Sequence, residues 1–189
     1  MSEETRRAIL QAGLEHFALI GFDATSTRAI AKSANANLSA ISYHFGGKEG
    51  LYKAVLQSCF QSLLTILDSA PTEPKARLTY CATHLAKLHQ EKPLILKIAL
   101  QNMIEHKDFM QEELHANQQI LMKFFAQIFE AGKQSGQFRQ NLDTKSATIA
   151  FAGIIHFYFI TNKPDSFALE PMHYIKYALE VFFHGIEDR

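Results

Sequence analysis

Thr25-Ser26-Thr27-Arg28-Ala29-Ile30-Ala31-Lys32-Ser33, then Ala34-Asn35-Ala36-Asn37, then Leu38-Ser39-Ala40-Ile41-Ser42-Tyr43-His44-Phe45, closed by Gly46-Gly47-Lys48, reads as two short helices around a tight turn. Thr25 and Ser26 carry the short hydroxyls that cap a helix start. Asn35 in the turn is a residue type that tolerates a left-handed backbone, and Asn37 is placed to cap the second helix. Gly46-Gly47 then breaks that helix, as glycine past a helix end commonly does.

Working outward, apolar residues at helical spacing give a first helix from about Glu3 to Leu19, with Ile9, Gly13, Phe17 and Ile20 on one stripe and Gly21 as its stop. Downstream, a long helix runs from Lys48 to about Leu67, and Ser69-Ala70-Pro71-Thr72-Glu73-Pro74 is the clearest linker. Helices follow near Lys75–Gln90, Pro93–Met103, Gln111–Lys133, Thr144–Asn162 and Pro171–Gly185. Sustained period-2 alternation with hairpin turns is absent, so the expected fold is all-α. We expect a head over residues 1–50 and a helical body over 51–189.

Three helices in the first 46 residues, the last two short and joined by a four-residue turn, form a helix-turn-helix arrangement, whose second short helix enters a DNA major groove. On a helical wheel Leu38, Ile41 and Phe45 fall within about 60° and are expected to face the core. Ser39, Ala40 and Tyr43 then point the opposite way, flanked by Asn37 and His44. Small polar side chains let a backbone approach a groove, while hydroxyls and amides read base edges or hold phosphates. Arg28 and Lys32 stand one turn apart, placed to grip a DNA backbone, and Lys48 opens a helix whose free N–H groups favour phosphate.

Composition neither demands nor forbids this. The 189-residue chain is 47% hydrophobic and formally neutral. Up to Phe60, six basic residues meet five acidic ones, so any DNA-facing surface must come from placement rather than bulk charge. Two cysteines inside apolar helical patterns make no disulfide framework and fit a reducing cytoplasm. The start Met1-Ser2-Glu3-Glu4 is no signal peptide, and the apolar run 147–160 is too short to span a bilayer. A soluble, cytoplasmic protein without a membrane partner is expected.

The block Gly21-Phe22-Asp23-Ala24-Thr25-Ser26-Thr27-Arg28-Ala29-Ile30-Ala31, followed by Tyr43-His44-Phe45-Gly46-Gly47-Lys48-Glu49-Gly50-Leu51-Tyr52, resembles the TetR family signature over roughly residues 6 to 55. The chain departs from that pattern at Asn35, where glycine is usual, and in the reading helix, where Asn37, Ser39 and Ser42 stand in place of the commoner residues. The resemblance implies DNA contacts from Thr27, Arg28, Ser39, Ala40, Tyr43, His44 and Lys48, with Asn37 as cap and further contact. For His44, packing against the neighbouring helix is an equal alternative. The implied function is a ligand-responsive repressor that binds a palindromic double-stranded operator as a homodimer. A second reading, favoured by the near-neutral head, keeps the helix-turn-helix only as the scaffold of a helical effector-binding or interaction protein.

In the body, no Gly-rich phosphate loop, Gly-x-Ser-x-Gly or His-Glu-x-x-His occurs, so no enzyme is expected. Ile149, Phe151, Ile154, Ile155, Phe157, Tyr158 and Phe159 make the penultimate helix apolar on nearly all sides, with Ala150 and Gly153 allowing close approach. Either it is a central core helix, or it pairs with the last helix to meet a second copy. In the second case the interface holds Phe151, Ile154, Ile155, Tyr158, Tyr174, Tyr177, Val181 and Phe182, as the resemblance also implies. The resemblance further implies a pocket for an apolar or aromatic small-molecule effector among Leu85, Leu88, Met103, Phe109, Leu121, Phe124, Phe125 and Ile128, with no cofactor. Of nine histidines, His84 shares a helix face with Cys81, and His89, His106 and His115 are further possible ligands. Histidines satisfied in the core or at the surface remain the expectation, without a metal.

Overall fold

In the computed structural model, residues 2–105, 107–161 and 169–187 are described. Ser2 caps α1 (Glu3–Ile20), its Oγ accepting from Thr5 N–H at 3.2 Å, and Gly21 ends it at φ 84°. Next come α2 (Thr27–Ser33), α3 (Leu38–Phe45) and α4 (Lys48–Asp68). Then follow α5 (Pro74–Glu91), α6 (Pro93–Glu105), a 3-10 turn at Asp108–Met110 and α7 (Gln111–Gln134). The last two are α8 (Thr144–Thr161) and α9 (Pro171–Ile186). The expected end of α8 at Asn162 and the metal candidate His106 lie outside the described residues.

Packing divides the chain differently from a cut at residue 50. One unit comprises Met1–Leu64 with Lys92–His115, the other Thr65–Glu91 with Ala116–Arg189. The reason is in the first unit's core. Ile9, Phe17, Ile30 and Ile41 are buried together with Leu51, Val55 and Cys59 of α4, Ile98 of α6 and Met110. On their own α1, α2 and α3, fewer than fifty residues, bury a small share of their apolar surface, and α4 and α6 supply the rest.

Several local choices position α2 and α3. Ser26 alone caps α2, its Oγ accepting from Ala29 N–H at 3.1 Å. Thr25, expected to cap as well, is buried, and its hydroxyl donates to the Gly21 carbonyl at 2.7 Å, pinning the end of α1. Asn35 adopts φ 48°, the left-handed turn conformation expected of it. Gly46 and Gly47, at φ 74° and 127°, turn the chain from α3 into α4. A Cβ at Gly50 would collide with the Phe45 carbonyl oxygen, so only glycine lets the first turn of α4 cross the end of α3 this closely.

In the second unit α5, α8 and α9 pack on one another. Phe125, Phe129, Phe138 and Phe151 are buried there, Phe151 meeting Phe125 at 5.3 Å and Phe182 at 5.7 Å between ring centroids. The segment after α7 is tied to the end of α9 by Arg139 N–H donating to the Ile186 carbonyl at 2.9 Å.

Candidate nucleic-acid interface

Asn37 is the N-cap of α3: its Oδ1 accepts from Ser39 N–H at 3.1 Å and from the Ser39 hydroxyl at 3.0 Å. The exposed face of α3 that follows is made by Leu38, Ser39, Ser42 and Tyr43, with Tyr43 68% and Leu38 43% exposed. Ala40, expected on that face, is fully buried beside Ile41. The buried stripe is rotated by about 70° from the wheel expectation, because the small Ala40 lets α3 sit tightly on its neighbours while Leu38, at the helix start, is left outside. Ser42 therefore joins the outward face, and its signal in the sequence was its place one turn after Ser39.

His44 is half-buried, its ring edge-on to Tyr43 at 5.0 Å, and its Nε2 is buried without a hydrogen-bond partner among the described residues. Arg28 and Lys32 are exposed on α2, and Thr27 opens that helix half-buried. Lys48 Nζ lies 4.4 Å from the centre of the Phe22 ring and donates to the Asp23 carbonyl at 3.3 Å, which holds its ammonium in place. Arg6, which sequence reasoning passed over, sits with its guanidinium 5.3 Å from the ring of Phe45, the last residue of α3. The first unit thus exposes Arg28 and Lys32 on α2 and Ser39, Ser42 and Tyr43 on α3, and holds Lys48 on the Phe22 ring.

The candidates in the second unit separate. Phe151, Ile155 and Tyr158, expected at a partner interface, are buried in the core of their own unit because α5 and α9 already cover that side of α8. Ile154, Tyr174, Tyr177, Val181 and Phe182 instead line a groove of about 480 Å³ with Leu169, His173 and Ala178. Among the expected pocket residues, Phe109 packs against Phe22 and Tyr52 in the first unit, and Met103 of that unit is 46% exposed. Leu85, Phe125 and Ile128 are buried in the second unit, with Leu88, Leu121 and Phe124 half-buried there, and the Arg77 guanidinium lies 4.6 Å from the Phe124 ring. His84 stacks on Tyr80 at 3.7 Å, and its Nδ1 lies 2.9 Å from the Tyr80 carbonyl oxygen. Burial pushes the Cys81 thiol up to about 11, although Arg77 acts to lower it. Among the described residues no group of three or more His, Cys, Asp or Glu is placed to hold a metal, and no helix is long and apolar enough to cross a membrane.

Residues 9–55 match the family model for bacterial regulatory proteins of the tetR family, and residues 74–168 match that for the tetracyclin repressor-like C-terminal domain. The chain is 25% identical to the uncharacterized HTH-type transcriptional regulator YvkB of Bacillus subtilis over 186 residues, covering 96% of this chain and 97% of the relative. It is also 25% identical to the HTH-type transcriptional repressor NicS of Pseudomonas putida over 173 residues, 83% of this chain and 76% of the relative. Its fold is that of AibR, solved in complex with isovaleryl coenzyme A and operator DNA, at TM-score 0.79 and 20% identity over 95% of this chain and 98% of AibR. With models matching both its helix-turn-helix and more than half of its length, the chain belongs to the tetR family of bacterial regulatory proteins.

Proposed function

We propose that the chain is a ligand-responsive transcriptional repressor, binding a palindromic operator as a homodimer and working in the cytoplasm by binding alone rather than by catalysis. The observation that carries this reading is the capped α3, which turns Ser39, Ser42 and Tyr43 outward in the same unit that exposes Arg28 and Lys32 on α2 and holds Lys48 on the Phe22 ring. Tyr43 and Lys48 hold phosphates, Arg28 takes a phosphate or base edge, and the hydroxyls of Thr27, Ser39 and Ser42 complete the contact. Leu38 adds an apolar surface suited to a thymine methyl group.

The effector is a small molecule with a substantial apolar part, received by the second unit near Leu85, Leu88, Leu121, Phe124, Phe125 and Ile128. The AibR complex, in which a protein of this fold holds an acyl thioester and operator DNA, supports a two-ligand regulator of this kind. Ligand binding shifts the population toward a conformation with lower DNA affinity.

Selection of duplexes from a random-sequence pool by the purified chain should return a palindromic consensus. On such a duplex Lys48→Ala should weaken binding and lower the slope of log affinity against log salt by about one. Undiminished affinity and slope would refute the assignment of Lys48.

A further inference from the structure

Phe22 carries two cations on its ring. Lys48 Nζ lies 4.4 Å from the ring centre and Lys107 Nζ 5.0 Å. The ring is a fixed platform, held by Phe17, Tyr52 and Phe109 at centroid distances of 5.8, 5.0 and 5.2 Å. The two ammonium groups differ in their partners. Lys48 donates to the backbone carbonyl of Asp23, whereas Lys107, only 12% exposed, donates to the Asp23 carboxylate at 3.0 Å and pairs with Glu105 at 3.2 Å. Burial acts to lower the Lys107 pKa, but the hydrogen bonds to Asp23 and Glu105 outweigh it and hold the group above its ordinary value. Lys107 is therefore a cation throughout the physiological range.

The Asp23 carboxylate is itself 87% exposed. A bare carboxylate beside a phosphate-binding lysine repels the DNA polyanion and competes with phosphate for the lysine. Lys107 counters both effects. We propose that Lys107 is a positioning residue for DNA binding: held between the Asp23 and Glu105 carboxylates, it offsets their charge and keeps the Asp23 carboxylate off Lys48, leaving the Lys48 ammonium free for a phosphate. This inference rests on the reading of Lys48 as a phosphate contact.

The test uses the full-length chain, a labelled duplex that the wild type selects from a random-sequence pool, and binding isotherms at low and physiological salt. Lys107→Met, which keeps an apolar stem over Phe22, should bind about three- to tenfold more weakly at low salt, with the difference shrinking as salt rises. Adding Asp23→Asn should restore binding to within about twofold of wild type, the non-additivity of two groups acting through each other. A double variant as weak as Lys107→Met overturns the proposal, because the loss of Lys107 then acts otherwise than through the Asp23 charge. Wild-type affinity in Lys107→Met, with Lys48→Ala weakened, overturns it while leaving the DNA-binding reading in place. If the wild type selects no duplex, that reading fails and the inference with it.

Discussion

His89 of α5 is 6% exposed, with its ring 5.3 Å from that of His156 on α8. Burial, and secondarily the neighbouring His156, lowers its pKa to about 3. Burial also lowers His156, against the opposing effect of its hydrogen bond to the Ala152 carbonyl. Between the ordinary value of 6.5 and about 3, the unfolded chain therefore binds a proton at position 89 that the folded chain refuses. Stability is level above pH 6.5 as far as His89 is concerned and falls as pH drops through that window. His89→Leu should flatten this acid limb, measured as the denaturant midpoint from neutral pH down to about pH 4. Parallel declines in variant and wild type would contradict the argument, whatever the absolute stabilities. The histidine count suggested metal chemistry as a possibility, yet the sequence carried no sign that the His89 ring is buried against that of His156. A histidine inside an amphipathic helix looks the same whether it faces solvent or the core.

Helix α3 shows what was legible at the level of an element and what was not. Its ends were readable because capping and breaking are local: Asn37 at the start and Gly46-Gly47 at the end do not depend on what the helix packs against. The buried face was misjudged because it depends on partners distant in sequence. Ranking by hydrophobicity put Leu38 inside, whereas close helix contact favoured the small Ala40. The same locality makes the cap separable from DNA binding. Asn37→Ala removes the oxygen that accepts from Ser39 N–H and should cost about 1 kcal/mol in a denaturant titration. Asn37→Asp keeps an accepting oxygen and should hold stability near wild type, while its added negative charge weakens duplex binding. Equal loss of stability in both variants would show that the cap is not what Asn37 contributes.

For the assembled molecule, the α8–α9 pair leaves an apolar surface that its own unit does not cover. Val181 is 74% exposed, Ile149 64% and Phe157 63%, and Val181 and Tyr177 line the open groove at α9. The sequence identified these two helices as the apolar pair but could not divide their residues, since burial inside a unit and burial by a second copy select the same side chains. Packing made the division: Phe151, Ile155 and Tyr158 went to the core, and Ile154, Tyr177 and Val181 stayed at or near the surface. Apolar surface of this kind marks an association site, and a two-fold pairing presents the same residues from both copies. A charge at Val181 is desolvated without a partner on association but costs the isolated fold little, because Val181 is 74% exposed there. Val181→Glu should therefore shift the chain from dimer to monomer in sedimentation at micromolar concentration, with unchanged helical content. Duplex affinity should fall in parallel, because two recognition helices about 34 Å apart meet successive major grooves only as a pair. A variant that stays dimeric and binds the selected duplex as the wild type does would place the contact between copies elsewhere. One that turns monomeric yet keeps full duplex affinity would instead refute the requirement for both half-sites.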